Sequence, residues 1–194
     1  MKKMPIKMKL LSDAIFGSGF SVPGDADIFP QVDDKGFPYM KGSTFKGVFR
    51  ETLESYLMWQ GMDENEILQK ISGLLGTAGS NLDSTHQLVF SDFVLSEAVR
   101  EKMLELPEIS SDEITDTLTN LRTFTRLDEQ GMAEDGSLRN VRCINKGLIF
   151  YSTIVLSDPE DQDLVRDVLG MIKWVGTMRN RGFGKVKIEE VDEK

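Results

Sequence analysis

The feature that most constrains the fold of this chain is Leu148–Leu156, LIFYSTIVL, a run of β-branched, aromatic and aliphatic residues that follows Gly147. It is the strongest strand signal in the sequence and commits the chain to a sheet. Weaker strand signals lie at Lys7–Ala14, closed by Gly17-Ser18-Gly19, at Gln87–Leu95 (QLVFSDFVL) and at Lys185–Val191. Ser43 or Thr44 can cap a helix running to about Gln60, with Val48, Leu53, Tyr56 and Leu57 at helical spacing. A second helix is expected over Glu64–Leu75, stopped by Gly76 and followed by an exposed Gly-Ser-Asn loop. Ser96–Leu106 reads as a helix halted by Pro107, Asp112–Leu121 as a short helix with acids near its start, and Asp161–Val175 as an amphipathic helix. Residues 21–41 form a Pro-, Gly- and Asp-rich loop with a turn at Asp34-Lys35-Gly36. Residues 122–147 carry many charges and little apolar periodicity, which suggests a long hairpin or a mobile arm.

Leaving out the excursions, the order is strand, helix, strand, strand, helix, strand. That order implies an α+β, ferredoxin-like (RRM-like) antiparallel sheet with both helices on one face, a protruding hairpin and a helical insertion. The 194 residues fit one domain, 1–194, with no dividing linker and no internal repeat. No apolar run approaches the roughly 20 residues that span a bilayer. The basic start MKKMPIKMKLLSD superficially matches a secretory leader. Lys7, Lys9 and Asp13 interrupt it, so it reads as the first strand of a cytoplasmic protein with no membrane partner. The single cysteine, Cys143, excludes an internal disulfide and a cysteine-based zinc site, and reads as a packed thiol.

The net charge of −9 argues against a simple nucleic-acid binder, because phosphates are met by Lys and Arg. The distribution argues differently. Arg166 to Lys187 holds six basic residues against Asp167 alone, whereas Glu97 to Asp116 holds seven acids against two bases. Such segregation suits one basic and one acidic face; the plain alternative is a solvated acidic helix.

Three basic motifs stand out. Lys41-Gly42-Ser43-Thr44-Phe45-Lys46-Gly47-Val48-Phe49-Arg50 places a glycine and two hydroxyls ahead of a helix, where N–H groups and side-chain donors suit a phosphate. Lys46 and Arg50 lie four apart on one helical face. An ordinary capped helix with a basic stripe is the plain alternative. Gly176–Val186 (GTMRNRGFGKV) combines glycines that permit positive φ with Arg179 and Arg181, followed by Gly182, Phe183 and Gly184; it could also be a structural turn. Arg122–Gly147 holds five basic residues, including Arg122, Arg126, Arg139 and Arg142, with Met132 and Leu138 near its glycines. It fits a hairpin that meets RNA, or a solvated loop.

Together these motifs resemble the RAMP superfamily. The loop at 176–186 resembles its C-terminal glycine-rich loop. Asp25-Ala26-Asp27-Ile28, Gly36-Phe37-Pro38-Tyr39 and Gly42-Ser43-Thr44-Phe45-Lys46-Gly47 with Arg50 resemble its N-terminal segment. Thr125-Arg126-Leu127-Asp128, Gly131-Met132-Ala133, Gly136-Ser137-Leu138-Arg139 and Gly147-Leu148-Ile149-Phe150 resemble its thumb hairpin, about 122–147, and the strand after it. Lys41 stands where relatives often carry proline. The resemblance spans nearly the whole chain.

It implies a backbone subunit of a type III CRISPR effector complex, whose copies stack along a guide RNA and whose thumb crosses the guide–target duplex and displaces a base pair. The partners implied are guide RNA, target RNA, neighbouring copies or related RAMP subunits, and other effector subunits. Lys41, Gly42, Ser43, Thr44, Lys46 and Arg50 would hold the guide backbone, assisted by Arg179, Arg181, Gly182, Phe183 and Gly184. Arg122, Arg126, Met132, Leu138, Arg139 and Arg142 would belong to the thumb, with Met132 as an apolar wedge. Many such subunits cut target RNA with an aspartate and Mg²⁺. The candidate is Asp27, as catalytic residue and metal ligand, with Asp25 in reserve. The alternatives are a non-catalytic scaffold or capping subunit and a guide-processing endoribonuclease. The latter usually needs a histidine, and only His86 exists. A ferredoxin-like metabolic domain would leave the three motifs unexplained.

Overall fold

The computed structural model describes residues 1–19, 21, 25–76, 88–126 and 128–191. His86, Gln87, Leu127 and the loop expected after Gly76 lie outside the described residues. The first strand, β1 (Lys2–Leu10), alternates strictly: Met4, Ile6, Met8 and Leu10 are buried while Lys3 and Lys9 face outward. The strand was expected over Lys7–Ala14. It starts earlier because the apolar alternation already begins at Met4, and it ends at Leu10 as the chain turns toward Lys185 (Leu11 N–H to the Lys185 carbonyl, 2.7 Å). Pro5 is tolerated because its backbone faces the far end of the neighbouring strand, where its carbonyl accepts from Val191 N–H at 2.8 Å.

LIFYSTIVL forms β6 (Ile149–Leu156), which pairs with β1 in antiparallel register from Lys2↔Leu156 to Lys9↔Ile149. On the other side of β1 lies β7 (Val186–Glu190), with Ile6 opposite Glu190. The sheet order is β2-β6-β1-β7, where β2 is Leu88–Phe90; β3 (Val94–Leu95) also pairs with β6. The expected strand over 87–95 is therefore interrupted. Ser91 and Asp92 leave the ladder because their side chains have other work: Ser91 Oγ accepts from Thr153 N–H at 2.8 Å, and Asp92 accepts from Gly42 N–H at 2.7 Å.

Helix α1 (Gly42–Trp59) buries Phe45, Phe49, Leu53 and Leu57, a four-residue stripe that drives it onto the sheet. α2 (Glu64–Leu75) starts on a capping box between Asp63 and Glu66 and buries Ile67, Ile71, Leu74 and Leu75. α5 (Gln162–Met171) buries Val165, Val168 and Leu169. These residues and the inner face of the sheet form one core cluster. α5 ends four residues before the expected Val175. Ile172 is already extended, and residues 173–175 pair with 184–186 through the Trp174–Lys185 bridge. α3 (Glu97–Leu104) buries none of its residues.

α4 (Ser111–Leu118), capped by a Ser110–Glu113 box, stops short of Leu121 because Thr119 already enters the next strand. That strand, β4 (Thr119–Phe124), pairs with β5 (Arg139–Ile144) from Thr119↔Ile144 to Phe124↔Arg139. The 122–147 segment is thus built on a two-stranded antiparallel ribbon. Its base is ordered by a second small core of Ile15, Val141 and Cys143. Burial pushes the Cys143 thiol up to about 12, which makes it a packing group.

Two glycines in the loop before β7 allow a direct stability test. Gly184 (φ +76°) has no room for a Cβ, which would lie 1.8 Å from the Val175 carbonyl oxygen; Gly182 (φ +87°) has open space. Gly182→Ala is expected to cost about 1–2 kcal/mol for its positive φ alone. Gly184→Ala should cost more, about 3 kcal/mol or greater, because strain and steric overlap add. Equilibrium urea unfolding of the two variants checks the order.

Candidate nucleic-acid interface

The glycine-rich loop owes its shape to close backbone contacts. A Cβ at Gly176 would lie 2.4 Å from the Ile15 carbonyl oxygen. Thr177 N–H donates to that same oxygen at 3.1 Å, and Gly184 N–H donates to the Asp13 carbonyl at 2.7 Å. The loop is thereby pressed against residues 13–15. A short 3₁₀ turn, Arg179–Arg181, stands between left-handed Met178 (φ +55°) and Gly182. It presents exposed Arg179 and Arg181 outward. Arg181 lies over the Phe124 ring at 5.6 Å, and Arg179 is only loosely paired with Glu51 at 3.8 Å. Phe183 packs edge-on against Phe124, 5.7 Å between centroids, and so fastens the loop to the ribbon.

At the start of α1 the structure corrects two expectations. Neither Ser43 nor Thr44 is the cap: Lys41 occupies that position in extended conformation with no side-chain cap bond. Gly42 does not offer its N–H to a ligand, because Asp92 takes it. Glycine is required there for close approach, since a Cβ would meet the Phe90 carbonyl oxygen at 2.2 Å. Lys41, Ser43 and Thr44 are exposed on a first turn that carries no acid. Lys46 and Arg50 are neighbours, as their spacing implies. Burial, and then the charge of Arg50, hold the Lys46 ammonium below its ordinary pKa. Arg50 donates to the Gly76 carbonyl at 2.7 Å and to that of Leu75 at 3.4 Å, so it caps the end of α2.

On the ribbon the arginines divide in the same way. Arg142 is engaged on every side. Its Nε and one terminal nitrogen grip Asp25 at 2.9 and 2.6 Å, and the other meets Asp116 and the Thr119 hydroxyl. The bond to Asp25 raises its pKa, against burial. Arg142 is therefore a clamp joining the 25–28 loop to α4 and β5. Arg122 pairs with Asp13 at 2.8 Å, Arg126 with Glu134 at 3.4 Å, and Arg139 donates to the Gly136 and Leu138 carbonyls. Met132 (66% exposed) and Leu138 (60%) stand in solvent near the tip.

Asp25 and Asp27, adjacent in sequence, differ in availability. Arg142 holds both Asp25 oxygens. Asp27 is exposed; its Oδ2 accepts from Asn140 N–H at 2.7 Å, and its own N–H donates to the Asn140 carbonyl at 2.8 Å. Among the described residues no hydrogen bond is made to its Oδ1. Three clefts border the glycine-rich loop, and neither Asp25 nor Asp27 lines any of them. One of about 350 Å³ lies between Ile15–Ser18, the start of α1 and Gly176–Arg179; one of about 600 Å³ between Arg126, Arg139, Met178 and Arg181; and one of about 510 Å³ between Asp13, Arg122, Lys146 and Arg181. Each is lined in part by the 178–182 turn: the first by Arg179, the second by Met178 and Arg181, the third by Arg181 and Gly182. The sequence reading missed Asp13, whose only signal is an acid directly after an apolar strand.

The RAMP superfamily model matches residues 7–187. The chain belongs to the RAMP superfamily. No curated protein matches it in sequence. Among solved structures this RAMP chain is similar to one in the cryo-EM structure of the Type III-B Cmr-beta bound to cognate target RNA. There the TM-score is 0.71 at 14% identity, covering 98% of this chain and 97% of that one. It is also similar to one in the Type III-B Cmr-beta apo-state cryo-EM structure, with a TM-score of 0.67 at 15% identity and 98% of each chain covered.

The RAMP domain contains, among the described residues, no group of three or more His, Cys, Asp or Glu that could hold a metal. Asp27 Oδ1 is a single hard oxygen donor. It fits Mg²⁺ only as a site completed by water and RNA oxygens, the way Mg²⁺ commonly binds at phosphates. No helix among the described residues is long and apolar enough to cross a membrane.

Asp13 titration gives a test of this architecture. Burial alone would raise its pKa, but the hydrogen bonds from Arg122, Lys146 N–H and Asn120 outweigh it, and the net value falls below the ordinary 3.8. Its contribution to stability is therefore full above pH 3.8 and is lost as pH falls through the lower folded-state value. Asp13→Asn is expected to be less stable than wild type at pH 7, with the gap closing below pH 3.8. Unfolding curves across pH 2.5–7 measure it.

Proposed function

We propose that this chain is a guide-RNA-binding backbone subunit of a type III CRISPR effector complex. The observation that carries the reading is the convergence of three separate basic motifs on one turn. The start of α1 and the ribbon line separate clefts that each border Met178–Gly182, with Lys41, Arg126, Arg179 and Arg181 exposed around them. A path of cations flanked by grooves is what a single-stranded polyanion requires. The strand order β2-β6-β1-β7, all antiparallel, with α1 and α5 as crossovers in one core, supports a ferredoxin-like core. The Type III-B likenesses at full coverage support the same assignment.

In this reading the β4–β5 ribbon is the thumb, and exposed Met132 and Leu138 are its apolar wedge against a base pair of the guide–target duplex. Neighbouring copies stack along the guide. The acids of α3 and α4, from Glu97 to Asp116, form a face suited to another protein subunit and unsuited to RNA. The complex acts in the cytoplasm. Ser43, Thr44 and Lys46 approach the guide phosphates; Arg50, Arg142 and Gly184 serve by holding the elements that do.

Target-RNA cleavage is assigned to Asp27, with Mg²⁺ held by its free Oδ1. The ion would neutralise phosphate charge next to the reacting 2′-hydroxyl. Asn140 N–H orients the carboxylate by fixing Oδ2. Asp25 is the weaker candidate because Arg142 occupies both its oxygens. The second reading, a subunit that holds RNA without cutting it, is favoured by Arg142, which takes both oxygens of Asp25 and so withdraws that carboxylate from metal binding.

The deciding experiment reconstitutes the complex with guide RNA and compares target cleavage by wild type, Asp27→Ala and Asp25→Ala, with Mg²⁺ and with EDTA. Asp27→Ala is expected to bind target normally and to abolish metal-dependent cutting at regularly spaced sites. Binding without cutting in wild type would establish the scaffold reading. Arg181→Ala is expected to weaken RNA binding about 5–10-fold and to lower the slope of log affinity against log salt by about 1.

A further inference from the structure

One residue fixes the chain on both sides of Asp27. The guanidinium of Arg142 grips both oxygens of Asp25, two residues before it, with Nε at 2.9 Å and a terminal nitrogen at 2.6 Å. The backbone N–H of the same arginine donates to the Ile28 carbonyl, one residue after it, at 3.0 Å. Asn140, two residues earlier on β5, makes the bonds in between: its carbonyl accepts from Asp27 N–H at 2.8 Å and its N–H donates to Asp27 Oδ2 at 2.7 Å. Residues 25–28 are thereby laid along β5, where Ile28 bridges Val141 in parallel. No helix or strand period holds this segment, so its shape is set by these bonds.

The far side of the guanidinium is the second observation. Its other terminal nitrogen bonds Asp116 on α4 and, at 3.2 Å, the Thr119 hydroxyl at the start of β4. The Arg142 side chain, 14% exposed, is therefore tied at once to the loop, to α4 and to the ribbon. Only a guanidinium does this. Its donors lie in a rigid plane, so two meet one carboxylate in parallel while a third reaches elsewhere. A lysine ammonium keeps the charge but carries its three donors on one nitrogen and cannot span the same partners.

We propose that Arg142 and Asp25 are positioning residues for the cleavage assigned to Asp27. Their ion pair holds the 25–28 backbone so that the Asp27 carboxylate is presented in one orientation, and neither residue touches RNA or metal. The inference rests on the cleavage reading above. A single carboxylate oxygen that shares its Mg²⁺ with water and RNA oxygens has no second protein ligand to correct its place. Its position relative to the RNA then decides the rate, and a shift of about 1 Å in such a group can cost on the order of a hundredfold. Loss of the ion pair alone is a smaller disturbance, because the Asn140 bonds remain.

The test uses the complex reconstituted with guide RNA. It reads target affinity, the single-turnover cleavage rate, the Mg²⁺ dependence of that rate, and amide hydrogen exchange across residues 25–29. Arg142→Lys and Asp25→Ala are expected to cut about tenfold more slowly at saturating Mg²⁺, with target affinity within about twofold of wild type. Both should keep the wild-type half-saturating Mg²⁺ and exchange faster across the loop. Asp25→Asn, whose amide oxygen still accepts from the guanidinium, should slow cutting only about threefold. If thermal melting shows Arg142→Lys to be unfolded, Asp25→Ala carries the test, since it leaves Arg142 bound to Asp116. Wild-type cutting in Arg142→Lys and Asp25→Ala, beside an inactive Asp27→Ala, would overturn the positioning role and leave the cleavage reading standing. A wild type that binds target without cutting it removes both. A raised Mg²⁺ requirement in Asp25→Ala would make Asp25 a metal ligand, and weakened target binding in Arg142→Lys would make Arg142 an RNA contact. Slowed cutting with unchanged exchange would mean that the effect does not pass through the loop. Each of these three results overturns the proposal.

Discussion

The glycine-rich loop and the ribbon are both referenced to Asp13. Its carboxylate accepts from Arg122 and Asn120 on β4 at 2.8 and 3.3 Å and from Lys146 N–H in the turn before β6 at 3.0 Å, while its carbonyl accepts from Gly184 N–H at 2.7 Å. One residue at the exit of the central strand thus ties together the ribbon, the β5–β6 turn and the glycine-rich loop. A carboxylate with a side chain only 12% exposed is tolerated because charged and polar donors surround it; remove them and the desolvation penalty stands alone. The consequence reaches beyond stability. Arg179 and Arg181 keep their positions relative to Arg126 and Arg139 because the loop and the ribbon share this anchor and the Phe124–Phe183 contact. The RNA path proposed for this face would depend on such rigidity, since misplaced cations lose most of their charge-assisted bonds.

The regular elements were legible where a side-chain period repeats along the chain. LIFYSTIVL, the α1 stripe and the Glu64–Leu75 helix lie within a residue or two of their expected places because burial on one face dictates the period locally. The misplaced boundaries share a cause that a local period cannot carry. Asp92 leaves a strand to accept the first N–H of a helix 50 residues away, and residues 173–175 leave a helix to pair with 184–186. The ribbon was half legible. Its charges and glycines announced a hairpin, but its apolar base, Val141 and Cys143, alternates over too few residues to be read and acquires meaning only from Ile15, far away in sequence.

For the site, residue type was a better guide than role. The glycine-rich loop borders the start of α1 on one side and the ribbon on the other. Within them the glycines, read as openings for a ligand, divide into three kinds. Gly42, Gly176 and Gly184 are filled by other backbone; Gly182 supplies a positive φ in open space; and Gly47 has neither duty. The arginines divide likewise. Arg50 and Arg142 have the motif positions of RNA ligands and the hydrogen-bond geometry of scaffold, whereas Arg126, Arg179 and Arg181 keep only loose partners. Nothing in a linear sequence separates these classes, because what distinguishes them is whether an acid or a helix C-terminus from elsewhere arrives at the guanidinium first.

The same division reconciles a net charge of −9 with a polyanionic partner. Net charge acts at long range, and at physiological ionic strength exposed charges more than about 8 Å apart are largely screened from one another. What an approaching phosphate meets is the set of cations within that distance, less those already neutralised. Asp13, Asp25 and Asp116 are spent on Arg122 and Arg142, and Glu190 on Arg166, so these acids hold the fold and add little repulsion. The remaining acids include the run along α3 and α4, whose residues lie outside the clefts that border the 178–182 turn. In the proposed role, RNA binding would be governed by the local arrangement at Lys41, Arg126, Arg179 and Arg181, with overall charge acting mainly on the approach. An interface of that kind would lose affinity steeply with salt, because its attraction comes from released counterions at these few cations and not from the net charge of the chain.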